Sequence, residues 1–188
     1  IDQLRSQTVK EKGLPFGVRA VLDNVMANRK VFHNLLRLAS IGQKPFTTGN
    51  VIRHLPLFLA GMAKDRSLPA IADVPLRDRI TKITKKIVNP TQRVALFAGC
   101  NTDFVFPETG EAVYKVLQNL NMEVVFPEDQ SCCGKPLLGM GDRDIAKKIA
   151  KRNIIAFEEA NADIILSSCP TCTETWHETY VELFADDA

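Results

Sequence analysis

Residues 93–100 have the sequence RVALFAGC, a short apolar run that ends at Gly99 and Cys100. A run of this length and composition is typical of a strand buried on both faces. From Thr109 to Leu120 apolar residues recur at three- and four-residue steps, which predicts an amphipathic helix. This region therefore begins with a strand followed by a helix.

The same alternation is repeated twice further along the chain. Strand-like runs at Glu123–Phe126 and Asp163–Ser167 are each followed by helical spacing, at Asp142–Ala160 after the first and through Leu183 after the second. Alternating strands and helices form a parallel sheet covered by helices, with right-handed crossovers. We therefore predict an α/β fold, with a three-stranded parallel βαβαβ half-domain of Rossmann-like type preceded by a mainly helical N-terminal segment.

All five cysteines lie in this second region, and each group of them follows a strand. The three groups are Cys100, Cys132 with Cys133, and Cys169 with Cys172. Parallel strands point the same way, so their carboxyl ends share one edge of the sheet, where such folds bind ligands. We expect the five thiols to meet at that edge, with Gly134 allowing a tight backbone turn beside them.

The thiol pattern is more typical of a metal centre than of disulfides. The number is odd, and a bridge between the neighbours Cys132 and Cys133 would need a strained ring. Soft thiolates bind iron–sulfur clusters, zinc or copper(I). Two other interpretations remain, namely buried structural thiols and, for Cys169-Pro-Thr-Cys172 alone, a thioredoxin-type dithiol.

The first 90 residues show helical patterns interrupted by Gly and Pro. We predict one amphipathic helix over residues 18–41, a second over Val51–Lys64, and an extended connector over Ser67–Pro75. We place a boundary between a helical linker or docking segment at residues 1–90 and the cysteine-rich α/β domain at residues 91–188.

Several other side chains are expected to have ordinary structural roles. The basic run Arg77–Lys86 predicts a solvated helix face, with a docking surface for an acidic redox partner as the sharper alternative. Three acidic residues near the cysteines are expected to be turn or cap residues: Asp103, Glu128 and Asp129. His177 is a candidate hydrogen-bond donor to the thiol site. The remaining candidates are expected to pack or to lie at the surface: His33, His54 and Trp176.

The composition limits the class of protein. The chain has 188 residues, a formal net charge of +2 and 45% hydrophobic residues. This balance favours a soluble globular domain and argues against a general nucleic-acid binder. No apolar run reaches the about 20 residues that a transmembrane helix needs. Because the chain begins with Ile1 rather than Met, we expect it to be a piece of a longer protein.

The cysteine order resembles that of a known family. A lone cysteine, then Cys132-Cys133-Gly134, then Cys169-x-x-Cys172 is similar to the cysteine-rich CCG domain of heterodisulfide reductase and of the iron–sulfur subunits of lactate, glycolate and anaerobic glycerol-3-phosphate dehydrogenases. Residues 1–90 resemble, more loosely, the helical segment that precedes the first CCG domain in the dehydrogenase subunits. The resemblance implies a four-iron four-sulfur cluster, of cubane or noncubane type, with zinc as the alternative metal. The implied ligands are Cys100, Cys132, Cys133, Cys169 and Cys172.

By this resemblance the chain is expected to be the iron–sulfur electron-transfer part of an oxidoreductase complex that oxidises a 2-hydroxy acid such as lactate or glycolate. Electrons would pass from a flavin-containing dehydrogenase subunit toward quinone or another carrier, with a ferredoxin-like domain or subunit as a second partner. The alternatives are cluster-based reduction of a disulfide and a zinc-stabilised interaction module. We expect a cytoplasmic location, with a peripheral complex at the inner face of the membrane as a further option.

The family usually carries the motif twice, and a single copy occurs here. We therefore expect the isolated piece to be inactive. A three-stranded sheet also leaves edge backbone groups unpaired, so we expect the piece to self-associate.

Overall fold

The computed structural model describes residues 2–52 and 68–185 of the chain, and its N-terminal part is mainly helical. The helices of this part are α1 (Asp2–Lys12), α2 (Phe16–Val21) with a following π-helical turn (Leu22–Met26), α3 (Arg29–Gly42) with a following 3-10 turn (Lys44–Phe46), and α4 (Leu76–Ile83). Three two-residue strands lie between α3 and α4 and pair as an antiparallel sheet: β1 (Thr47–Thr48), β2 (Val51–Ile52) and β3 (Leu68–Pro69).

One helix prediction for this part was wrong, and a second was wrong at its first two residues. The helix predicted over residues 18–41 is interrupted at Asn28, whose backbone is extended and whose side chain accepts a hydrogen bond from the Val31 N–H at 3.3 Å. An asparagine in this conformation caps a new helix, so α3 begins there. The helix predicted over Val51–Lys64 begins instead with strand β2, and the rest of it, including His54, lies outside the described residues.

The second part has the predicted order of strands and helices. The strands are β4 (Arg93–Phe97), β5 (Glu123–Val125) and β6 (Ile164–Ser167). The helices are α5 (Gly99–Phe104), α6 (Pro107–Asn119), α7 (Lys135–Gly139), α8 (Arg143–Glu159), α9 (Pro170–Glu174) and α10 (Tyr180–Phe184), the last two joined by a π-helical turn (Thr175–Thr179). Strand β4 is central and pairs in parallel with both β5 and β6. The α/β fold class is thereby confirmed.

The register of the sheet sets where the site lies. Phe97 at the end of β4 is paired with Ser167 at the end of β6. Strand β4 is buried from Val94 to its end, because helices cover both faces of the sheet. The carboxyl ends of β4 and β6 therefore lie side by side, and the chain that leaves each of them enters the same region.

Helix α4 is part of the same core. Its residues Leu76 and Ile80 lie in one buried cluster with Val94 and Leu96 of β4. The division of the chain after residue 90 stays a prediction, but α4 contributes apolar side chains to the α/β part. Among the helices of residues 2–52 and 68–185, none has the length and apolar character needed to cross a membrane.

Candidate metal centre

Each cysteine group lies where a helix begins at the carboxyl edge of the parallel sheet. Cys100 is in the first turn of α5, Cys133 is followed by Gly134 and then α7, and Cys169 is the residue before α9, which contains Cys172. Helix N-termini carry partial positive charge from unpaired N–H groups, which favours thiolates. The sheet therefore delivers the sulfur atoms to one region that suits negative charge.

The sulfur atoms form a continuous series of contacts. Cys100 Sγ lies 3.8 Å from Cys132 Sγ. Cys133 shares hydrogen bonds with Cys132 and Cys172, and Cys172 also contacts Cys169. All five thiols are free, three of them buried and the other two, Cys100 and Cys169, half-buried. The structure thus brings all five sequence-predicted cysteines together, whereas their role as ligands stays a prediction.

Two glycines allow this close approach. Gly99 has φ +61°, and a Cβ atom at this position would lie 3.1 Å from Cys172 Sγ. Gly134 has φ +89°, and its N–H lies 3.5 Å from Cys132 Sγ. Left-handed backbone of this kind is easily adopted only by glycine. The conformation of Gly134 agrees with the tight turn expected there.

Gln130, which sequence reasoning missed, connects the cysteine loop to the central strand. Its side chain is buried, its Oε1 accepts from the Ala98 N–H at 2.8 Å, and its Nε2 donates to the Leu96 carbonyl at 3.0 Å. The amide thus pairs with the backbone of β4 and its end as a neighbouring strand would. This holds the chain two residues before Cys132 against the strand end that leads to Cys100.

Asn153 and Tyr180 hold the other side of the same loop. Asn153 Oδ1 accepts from the Ser131 N–H at 3.0 Å, and its Nδ2 donates to the Cys132 carbonyl at 2.9 Å. The Tyr180 hydroxyl donates to the Cys133 carbonyl, also at 2.9 Å. Asn153 lies on the apolar face of its helix, where a polar residue is costly unless it is bonded. A polar residue on an otherwise apolar helix face is the sequence signal that could have revealed the role of Asn153.

Asp103 has a larger role than the turn or cap residue expected from the sequence. Its Oδ1 does accept from the N–H of Arg77 in the first turn of α4, at 3.0 Å, but its side chain is only 1% exposed and also accepts from the Arg77 Nε at 2.7 Å. Arg77 is itself largely buried, so the expectation of a solvated face over Arg77–Lys86 was wrong for its first member. The exposed lysines of that run are Lys82, Lys85 and Lys86.

The other singled-out residues are exposed or pack against aromatic side chains. His177 is exposed. Trp176 packs edge-on against Phe97 and tilted against Phe157, so it belongs to the core. His33 is buried against Phe104, at 5.0 Å between ring centroids.

The thiols differ in how firmly they hold their protons. Hydrogen bonds from Cys132 and then Cys172 lower the pKa of the Cys133 thiol to about 3, and a hydrogen bond from Cys132 lowers the pKa of Cys100. The same hydrogen bonds, followed by burial, raise the pKa of the two donors, Cys132 and Cys172. Contacts between neighbouring sulfur atoms therefore make the thiols of Cys100 and Cys133 more acidic than those of Cys132 and Cys172. A metal bound here would displace the protons that Cys132 and Cys172 keep.

The donor set fits a sulfur-rich group better than a single ion. Thiolates are ligands for soft metals. The buried Ser131 hydroxyl, next to Cys132, has no hydrogen-bond partner among the described residues, so it is free to donate to a sulfur-rich group bound here. Within residues 2–52 and 68–185, no group of three or more His, Cys, Asp or Glu side chains has a geometry that could hold a metal ion as it stands. A cluster of several irons distributes its thiolates over different iron atoms and does not need all of them around one point.

Comparison with known proteins agrees with the cysteine pattern. Residues 94–175 match the model of the cysteine-rich CCG domain family, which confirms the resemblance stated above. Lactate utilization protein A of Exiguobacterium sp. is 42% identical over 94 residues, which are 50% of this chain and 38% of that protein. Lactate utilization protein A 2 of Bacillus cereus is 36% identical over 96 residues, 51% of this chain and 39% of that protein.

A third relative extends into the helical N-terminal part. An uncharacterized iron-sulfur protein of Methanococcus maripaludis is 29% identical over 153 residues, 81% of this chain and 30% of that protein. The chain spans between 30% and 39% of the length of these three relatives. No solved structure matches it.

Proposed function

We propose that this chain, whose residues 94–175 are a cysteine-rich CCG domain, is the iron–sulfur electron-transfer part of an oxidoreductase that uses lactate or a similar 2-hydroxy acid. Two of the relatives described above are lactate utilization proteins and the third is named an iron-sulfur protein, which supports both parts of this proposal. The electron donor would be a flavin-containing subunit, and the acceptor quinone or another carrier. A ferredoxin-like domain or subunit would be the second partner.

The observation that carries the proposal is the meeting of five free thiols from three strand ends. Residues separated by 32 positions, Cys100 and Cys132, have sulfur atoms in contact. Two left-handed glycines, Gly99 and Gly134, let the backbone come close to these sulfur atoms. Cys100, Cys132, Cys133, Cys169 and Cys172 would hold a four-iron four-sulfur cluster, which when bound accepts and passes on single electrons.

Anaerobic reconstitution tests the proposal. The purified chain, incubated under argon with ferrous iron, sulfide and dithiothreitol, should retain about four irons with matching acid-labile sulfide. Variants with Cys→Ser at each of the five positions should retain less, and Cys133→Ser the least, because Cys133 lies at the centre of the series of contacts. A wild-type chain that keeps neither iron nor sulfide would overturn the proposal.

A disulfide-reducing activity is a second candidate, favoured by one observation. Cys100 and Cys169 are half-buried rather than buried, so a thiol substrate could reach this side of the site. The reconstituted chain would then change its electron paramagnetic resonance spectrum when a thiol is added after oxidation. An unchanged spectrum would argue against disulfide reduction and leave electron transfer as the proposed function.

Metal analysis distinguishes zinc binding from the two iron–sulfur candidates, electron transfer and disulfide reduction. A structural zinc site closes four ligands around one ion. The described side chains do not offer even three ligands with such a geometry, which weighs against zinc. Retention of about one zinc per chain, with no iron taken up in its place, would reverse this preference.

A further inference from the structure

Arg77 makes a fully bonded buried ion pair with Asp103. The exposed fractions of the two side chains are 12% and 1%. Arg77 Nε and Nη2 lie 2.7 and 2.6 Å from Asp103 Oδ2, and the backbone N–H of Arg77 donates to Oδ1 at 3.0 Å. Burying two charges is costly, and a pair persists only when hydrogen bonds satisfy both groups. The position of the guanidinium is therefore fixed relative to α5.

The same guanidinium also contacts the loop that leads to the paired cysteines. Arg77 Nη1 donates to the Glu128 carbonyl at 3.1 Å, and Nη2 reaches the Gln130 carbonyl at 3.4 Å. Arg29 of α3 donates to the same Glu128 carbonyl at 2.7 Å. Backbone atoms of this loop are thus held by arginines from the N-terminal helices.

These contacts join the two segments that carry one pair of touching sulfurs. Asp103 lies three residues after Cys100 on the same short helix, and Gln130 lies two residues before Cys132. The sulfur atoms of Cys100 and Cys132 are 3.8 Å apart. Arg77 contacts both segments at once, through different nitrogen atoms of one planar group.

We infer that Arg77 is a positioning residue, which sets the separation of Cys100 from Cys132 and so prepares these two thiols for the metal centre. The inference rests on the proposed function for the identity of that centre, but the geometry it describes belongs to the metal-free chain. The fork of an arginine is required, because three separate nitrogen atoms reach three acceptors that a single ammonium nitrogen cannot span. The N-terminal segment is accordingly part of the site.

Thiol cross-linking in the metal-free chain tests this geometry. Diamide takes two electrons and two protons from a pair of neighbouring thiols, which then form a disulfide with a bond of about 2.05 Å. After brief native oxidation, peptide mass spectrometry measures the Cys100–Cys132 disulfide. The contact of Cys169 with Cys172 lies in the segment that follows β6 and involves neither segment held by Arg77, so a Cys169–Cys172 disulfide is an internal reference.

The expected result is a selective loss. Arg77→Gln and Arg77→Lys should lower the ratio of the Cys100–Cys132 disulfide to the Cys169–Cys172 disulfide severalfold. Arg79→Gln is the matched control, because Arg79 lies on the same helix and pairs with Glu108 and Glu111 at 2.9 and 3.0 Å. Its ratio should equal that of the wild type.

Other outcomes overturn the inference. An unchanged ratio in Arg77→Gln, or an equal fall of both disulfides in the folded variant, would mean that Arg77 only stabilises the fold. If Arg77→Gln does not give a cooperative urea transition, Arg77→Lys, which keeps a charge beside Asp103, decides the question by the same ratio. A selective fall together with a wild-type chain that binds no iron would refute the proposed function while leaving the positioning role intact.

Discussion

The side-chain amide of Asn153 donates to the hydroxyl of Tyr180 at 3.0 Å, and that hydroxyl donates to the carbonyl oxygen of Cys133 at 2.9 Å. Asn153 lies on α8 and Tyr180 begins α10, so two helices are joined to the cysteine loop through buried polar groups. Neither side chain is a candidate ligand. They contribute to the site by holding the backbone of the cysteine loop in place, and the effect of losing them can be measured in the metal-free chain.

Substitution of Asn153 should therefore destabilise the metal-free chain. Asn153→Ala leaves the Ser131 N–H and the Cys132 carbonyl without their partners in a buried place. A buried polar group left unbonded costs about 1–3 kcal/mol, so we expect a loss of about 2–4 kcal/mol in the free energy of unfolding, measured with urea. Tyr180→Phe, which removes one donor, should cost about 1 kcal/mol.

An exposed asparagine provides the control for this prediction. Asn34 lies on the exposed side of α3, and Asn34→Ala should change the free energy of unfolding by less than about 0.5 kcal/mol. An Asn153→Ala variant as stable as Asn34→Ala would show that the loop does not depend on this network.

Gly99 should tolerate no side chain. Gly99→Ala combines a left-handed backbone, φ +61°, with a Cβ atom 3.1 Å from Cys172 Sγ. Strain of this kind costs about 1–3 kcal/mol, and the displaced sulfur should also reduce iron retention after reconstitution. Urea unfolding and iron analysis measure the two effects.

The matched variant for Gly99 is Gly17→Ala on α2. Gly17 has open space where its Cβ atom would be, and its φ is not positive. Alanine in a helix is more stable than glycine by about 0.5–1 kcal/mol, so this variant should gain stability and keep its iron. If both glycine variants behaved alike, the close approach of Gly99 to Cys172 would have no consequence.

The strands and the meeting of the cysteines could be predicted because they depend on local patterns. The run from Val94 to Phe97 is apolar at every position, and Cys100 follows it directly, so strand direction alone placed the thiol at the carboxyl edge. The break at Asn28 was missed because apolar spacing resumes soon after it, at Val31 and Phe32, although asparagine is a good capping residue.

The side chains that hold the cysteine segments in place could not be predicted in the same way. Arg77 and Asp103 are both charged, and in sequence a buried pair looks like two surface residues. Only the packing of α4 against α5 brings them together, across 26 positions. Gln130 likewise acts through the backbone of a strand far from it in sequence, which no local pattern indicates.

The pH dependence of stability should depend on His33. Its pKa is lowered from 6.5 to about 3, first by burial and then by nearby arginines. Those arginines are Arg77, Arg29, Arg37 and Arg152. Between these two pKa values the unfolded chain holds a proton on the imidazole that the folded chain does not, so acid favours unfolding. The stability that depends on His33 is fully present above the pKa of the unfolded chain, 6.5, and is lost progressively as the pH decreases toward about 3.

We expect this effect to reach about 1.4 kcal/mol per pH unit below the unfolded pKa. His33→Gln should remove that part of the slope when the free energy of unfolding is compared between about pH 7 and about pH 5. His177→Gln, at an exposed position, should keep the wild-type slope. An equal slope in the wild type and in His33→Gln would assign the acid sensitivity to other groups.

The last prediction concerns the open edge of the parallel sheet. Among the described residues, β6 pairs with β4 alone, and its residues Ile164 and Ile165 are 42% and 43% exposed. An edge with unpaired backbone groups and apolar side chains favours pairing with another strand, so the isolated chain should form dimers or larger assemblies with increasing concentration. Ile165→Lys should weaken this association, because a charge on an edge strand opposes pairing. Light scattering over a concentration series measures it. Ile155→Lys is the matched variant, because Ile155 is similarly exposed but lies on helix α8. If Ile155→Lys dissociates the assembly and Ile165→Lys does not, the helices form the contact rather than the sheet edge. A wild-type chain that is monomeric at every concentration would refute self-association itself.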